Sequence, residues 1–149
     1  QHIDSDHEII RFARKSINEI FNEKGEEYFR NIETKIVLKL IEKKNVVLSL
    51  GGGAILNRLI RDKLKKNSIT LFLDVSLLKL EKRLKKSINR PLLKNVNLEE
   101  KVKELDIARR KYYLLSDIII KNTNSPIIIC KNFIKKFANF HEKTNINKD

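Results

Sequence analysis

Residues 48–56 read LSLGGGAIL, so three of the four glycines in a 149-residue chain stand together after an apolar run. Without a Cβ, glycine lets backbone N–H groups approach a ligand closely, whereas a tight strand-to-helix turn needs only one such residue. Gly51, Gly52 and Gly53 therefore read as a binding loop. Asp4 and Asp6, in IDSDHEII, come just before a helical pattern. One carboxylate suffices for an N-cap, while a pair also suits Mg²⁺ or a general base. Arg30 and Glu33 lie one helical turn apart, as a surface ion pair or as a guanidinium held rigid for a carboxylate ligand. Arg90 precedes Pro91 in KKSINRPLLKNVN, a polar loop suited to a lid carrying a cation over a phosphate. Arg109 and Arg110 stand late in a helical pattern, where the helix dipole alone favours a cation.

These residues need elements to hold them. Apolar positions recur at helical spacing over 7–22 (Ile9, Ile10, Ala13, Ile17, Ile20, Phe21, with Phe12 widening the stripe) and again over 26–43. NVVLSL (45–50), SITLFLDV (68–75) and DIIIK (117–121) are short apolar runs, the first two expected to be buried on both faces as in a parallel sheet. Helices are predicted over 54–66, 76–87, 98–115 and 126–140, the last with Pro126 in its first turn. Strands alternating with such helices predict an α/β fold, a parallel sheet flanked by helices. In open sheets of this kind ligands bind outside the carboxyl ends of the strands, where the glycines lie. Residues 1–140 form the predicted domain, and 141–149 a polar, frayed tail.

Composition narrows the function classes. A 41% apolar and 34% charged chain of this length describes one globular domain with a real core. No apolar run approaches the roughly 20 residues of a membrane span. Cys130 is the only cysteine, so no internal disulfide can form; within IIIC it is expected to be buried and inert, in a cytoplasmic protein. The net charge of +13 comes from 23 lysines and 9 arginines scattered through every segment. That pattern reads as a solvated surface that attracts small anions, and not as a nucleic-acid groove.

Taken in order, DSDHEI, IF…GEEYFR..E, LSLGGGAI, R......RPLL and R...Y followed by SD resemble shikimate kinase over essentially the whole chain. The resemblance implies a P-loop kinase of the nucleoside-monophosphate-kinase type. Its reaction is ATP-dependent phosphorylation of the shikimate 3-hydroxyl, on the route to chorismate and the aromatic amino acids. It also implies a monomer when complete, with shikimate and ATP as ligands, no nucleic acid and no membrane. By that resemblance Asp6 binds shikimate hydroxyls and assists deprotonation, and Asp4 helps hold Mg²⁺ through water. Arg30, held by Glu33, grips the carboxylate, and Gly51, Gly52 and Gly53 present backbone to shikimate. Arg90 reaches the ATP phosphates from the lid, and Arg83 stacks on adenine, which the turn at Asn122–Pro126 borders. Arg109, four residues before Tyr113, resembles the second carboxylate-binding arginine, with Arg110 as its competitor.

One departure is large. The family opens with a strand and a G-x-x-x-x-G-K-[ST] loop that cradles phosphates, and no such motif occurs here. With Gln1 first and no methionine present, the expectation is an N-terminally incomplete kinase, inactive by itself. In the family's strand order, 2-3-1-4-5, the missing strand is the central one, between 45–50 and 68–75. The alternatives are a shortened, inactive homologue that binds similar ligands, or a related small-metabolite kinase such as a gluconate kinase.

Overall fold

Four strands and six α-helices occur among the residues that the computed structural model describes, 1–85, 91–93, 96–122 and 125–146. Their order is β1 (His2–Asp4), α1 (Ser5–Ala13), α2 (Ile17–Leu40), β2 (Val47–Ser49), α3 (Arg58–Asn67) and β3 (Leu71–Asp74). Then follow α4 (Leu77–Leu84), α5 (Leu98–Tyr113), β4 (Ile118–Lys121) and α6 (Pro126–Ile146), with 3-10 turns at Ala54–Leu56 and Pro91–Leu93. β1 has no counterpart in the pattern of apolar runs, because three residues are too short to show a period of two.

The helix expected over 7–22 is instead divided. Arg14 ends α1 in the left-handed region (φ 53°), and Ser16 opens α2 with a capping box. Glu19 N–H donates to Ser16 Oγ (3.2 Å), and Ser16 N–H donates to Glu19 Oε2 (2.7 Å). These reciprocal bonds satisfy donors at the helix start, so the boundary falls there although the apolar spacing runs on. α2 is interrupted at Gly25, which has φ 81° and ψ 175°. That region is essentially confined to glycine, although a β-carbon at Gly25 would meet no atom within 4 Å. Gly25→Ala is therefore expected to cost about 1–3 kcal/mol through the backbone alone, read as a lowered urea midpoint with an unchanged slope. α6 starts at Pro126, as expected, and runs to Ile146, into the stretch from 141 taken as tail. HEKTNI holds no glycine or proline to stop it.

β1 pairs with β2 in parallel, Ile3 opposite Leu48 and Asp4 opposite Ser49. β3 pairs with β4 in parallel, Leu71 opposite Ile118 and Asp74 opposite Lys121. The two pairs are not hydrogen-bonded to one another. A cleft of about 2310 Å³ is lined by residues 46–50 on one side and 69–73 on the other. The expectation that β2 and β3 are buried on both faces is accordingly corrected: Val47 is 69% exposed, Leu71 42% and Leu73 41%. Among the described residues β2 and β3 each have a single strand neighbour, and both line the cleft.

The core lies around α2. Its first two thirds close on Ile9 of α1 through Ile20, Phe29 and Ile32. Its last turns, with Val37 and the cap residue Ile41, pack on Ala54, Ile60 and Leu64. Phe12, placed on the apolar stripe by spacing, lies largely exposed. Cys130 is exposed too, against expectation, because the start of α6 turns Ile127 and Ile128 outward with it. Among the described residues no helix is long and apolar enough to cross a membrane.

Candidate functional site

The register of β1 against β2 sets Ser5 and Asp6 beside Leu50 and Gly51, just past the carboxyl ends of both strands. Asp4 is the N-cap of α1: its Oδ1 accepts from the N–H groups of Asp6 (2.9 Å) and His7 (3.2 Å). Capping thus falls to Asp4, and Asp6 turns toward the glycines. Ser5 is fully buried, and its Oγ accepts the Gly51 N–H at 2.9 Å. The triplet's N–H groups without a partner among the described residues are therefore those of Gly52 and Gly53.

Arg30 comes from α2 beyond the Gly25 kink. Its Nη1 donates to Glu33 Oε2 (2.7 Å), and its Nε (3.1 Å) and Nη2 (2.9 Å) donate to Glu26 Oε1. The half-buried guanidinium is thus fixed from two sides. Burial works against its charge, but the two carboxylates more than compensate and strengthen its hold on the proton. Glu33 is only 3% exposed. Burial pushes its carboxyl above the usual range, Arg30 pulls it back, and the neighbouring Asp6 raises it further.

α5 supplies the opposite wall. Tyr113 Oη donates to the Gly52 carbonyl at 2.6 Å, and its ring stacks on Phe72 of β3 with centroids 4.9 Å apart. Burial raises the Tyr113 phenol, and Arg109 beside it pulls it part-way down. Arg109 carries a buried Nε with no hydrogen-bond partner among the described residues. Arg110, one residue on, points elsewhere: its Nε donates to Asp106 (2.7 Å) and its Nη1 to Asp74 (3.1 Å).

Asp6, Glu33, Arg30, Arg109 and Tyr113 meet over the glycines. A β-carbon at Gly51 would stand 2.7 Å from Asp6 Oδ1 and 3.0 Å from Glu33 Oε1. One at Gly52 would stand 3.2 Å from Arg109 Nη1 and 3.3 Å from Tyr113 Oη, and one at Gly53 only 2.3 Å from Arg30 Nη1. Two guanidinium groups therefore flank adjacent residues of one loop, with a carboxylate at the residue before them. Such an arrangement can hold an anion bidentately and accept a proton beside it.

Arg83 is exposed in the last turn of α4, and Arg90 lies outside the described residues. So does the middle of the Asn122–Pro126 turn, at 123 and 124. Ser5, Glu26 and the hydroxyl of Tyr113 also belong to this cluster, although no motif in the sequence marks them as ligand-binding. Only the run DSD and the R...Y spacing hinted at the first and last.

The family model for shikimate kinase matches residues 1–138. The chain belongs to the shikimate kinase family. It is 36% identical over 118 residues to the shikimate kinase of Rhizobium meliloti, covering 79% of this chain and 62% of that one. It is 36% identical over 138 residues to that of Bartonella quintana, covering 92% and 66%. The chain thus spans less than two thirds of the length of these relatives. The solved shikimate kinase from Acinetobacter baumannii in complex with shikimate superposes with a TM-score of 0.87 at 32% identity, over 93% of this chain and 79% of that one. The fold is accordingly the P-loop kinase fold of shikimate kinases. The parallel pairs β1–β2 and β3–β4 agree with the neighbours 2-3 and 4-5 that the resemblance implies. The 149 residues hold no G-x-x-x-x-G-K-[ST] motif.

Proposed function

We propose that this chain carries the acceptor half of a shikimate kinase, which transfers the γ-phosphoryl group of ATP to the 3-hydroxyl of shikimate. The enzyme works as a monomer in the cytoplasm. The observation that carries this reading is the convergence of Asp6, Arg30 and Arg109 on three adjacent glycines. Arg30 and Arg109 take the shikimate carboxylate, Arg109 being favoured over Arg110 because the latter is engaged by two aspartates. Asp6 accepts the hydroxyl proton as the oxygen attacks phosphorus, and ADP leaves. Gly52 and Gly53 offer backbone N–H groups to the acceptor. Arg90 and Arg83 serve the nucleotide, at its phosphates and its adenine.

Mg²⁺ fits one position. Asp4 uses Oδ1 as a helix cap, which leaves its second carboxylate oxygen to meet a hydrated cation. Among the described residues no cluster of three metal-ligating side chains exists, so a contact through water suits this carboxylate. Mg²⁺ there would offset charge on the phosphates.

Fusing the chain to the first strand and glycine-rich loop of a solved family enzyme tests the reading. The fusion is expected to convert shikimate and ATP to 3-phosphoshikimate and ADP and to leave gluconate untouched. The 149 residues by themselves are expected to give no turnover, since they hold no G-x-x-x-x-G-K-[ST] motif. Turnover by the unfused chain, or a preference for gluconate, overturns the proposal. In the fusion, Asp6→Asn keeps shape but removes the base, so kcat should fall by about 10²–10⁴-fold with little change in KM for shikimate. An unchanged kcat would remove Asp6 from that role.

A further inference from the structure

Three adjacent glycines need a physical cause, and backbone conformation does not supply it. None of Gly51, Gly52 and Gly53 has a positive φ, and Gly53 sits at φ −90°, ψ −19°, open to any residue. Nor do backbone donors require glycine, since every residue but proline has an N–H. What the three positions share is a neighbour where a β-carbon would stand. Asp6 and Glu33 fill that space at Gly51, Arg109 and Tyr113 at Gly52, and Arg30 at Gly53, where Nη1, Cζ and Nη2 would lie 2.3, 2.7 and 2.7 Å from the added carbon.

We propose that the glycine triplet acts as a template for the charged groups of the site, and that Gly53 is a positioning residue which sets where the Arg30 guanidinium stands. The glycines then act through side chains in addition to any contact with ligand. An arginine tip is ordinarily free to swing away from an added methyl. Here it is tied to Glu33 and Glu26, so a methyl at Gly53 must break those bonds or leave the guanidinium displaced. At Gly51 the methyl meets Asp6 closely, and at Gly52 the crowding is slight. The order of effect is therefore Gly53, then Gly51, then Gly52. This inference rests on the proposed acceptor reading only where shikimate is used as the probe.

The test begins without ligand, on the fusion that carries the first strand and glycine-rich loop, with Nε–H signals of arginine side chains followed by NMR. Gly53→Ala is expected to shift the Arg30 signal and leave that of Arg109 in place. Gly52→Ala is expected to move Arg109 slightly and Arg30 not at all. An unmoved Arg30 signal in Gly53→Ala overturns the proposal. The second arm titrates shikimate calorimetrically through a double-mutant cycle. Gly53→Ala alone should weaken binding about thirtyfold or more, but by less than about threefold in an Arg30→Ala background. Factors that simply multiply would mean that the methyl meets the ligand directly, and would overturn it. No shikimate binding by the parent fusion would remove the acceptor reading and leave the NMR arm to decide. Should Gly53→Ala fail to fold, Gly53→Ala/Arg30→Ala must fold for the proposal to stand, because the guanidinium that crowds the methyl is then gone. If both fail, the backbone itself requires glycine and the inference is wrong.

Discussion

Arg30→Ala is expected to weaken shikimate binding by about 2–5 kcal/mol, the usual cost of removing one partner of a buried charge pair. At about 1.4 kcal/mol per tenfold, that is roughly thirtyfold to several thousandfold in Kd. The size of the effect comes from preorganisation. Arg30 already donates to Glu33 and Glu26, so little side-chain entropy is left to lose when a carboxylate arrives. Arg110→Ala provides the contrast. Its guanidinium is engaged by Asp106 and Asp74, so binding should stay within about twofold of the parent. Calorimetric titration of both variants, with thermal melts to exclude unfolding, checks the pair. If Arg110→Ala proved the more damaging for binding, the assignment of α5 arginines would be reversed.

The second large effect concerns the cleft between β2 and β3. The strand edges there face open space, so water can satisfy their N–H and C=O groups. The cost comes mainly from apolar side chains left in water. Val47, Leu71 and Leu73 keep 69%, 42% and 41% of their surface exposed. Full burial of such a side chain is worth about 1.5–3 kcal/mol, so together these three forgo roughly 2–5 kcal/mol. Against a typical net stability of about 5–15 kcal/mol that is a serious loss. Open apolar edges also pair readily with other chains. The 149-residue chain is therefore expected to self-associate, its sedimentation coefficient rising with concentration. Val47→Lys, on an exposed position of β2, should reduce the association. A concentration-independent monomer with a sharp cooperative melt would overturn the expectation.

Much of the site was legible in the chain itself. Periodicity separated helices from strands, and LSLGGGAIL at a strand end pointed to a ligand loop. The spaced motifs gave the family, and with it the expected gap in the sheet. Local chemistry escaped periodicity wherever an element was short or a cap intervened. β1 has three residues, and the Ser16–Glu19 capping box divides a stripe of apolar positions that runs on without a break.

The amino-acid order alone determined the alternating α/β architecture, the residues able to bind an anion and accept a proton, and the lack of a phosphate loop within these residues. Only the tertiary structure set Arg109 and Arg110 in different surroundings, for neighbours on a helix point about 100° apart. The packing of α5 turns the first toward Gly52 and the second toward Asp74. The same holds for Asp4 and Asp6, alike in sequence, of which one caps α1 and the other faces the triplet. It holds most of all for the glycines. Their need for space arises from Asp6, Arg30 and Arg109, side chains brought from three different helices, and contacts so distant along the chain leave no local trace in the residues that make them.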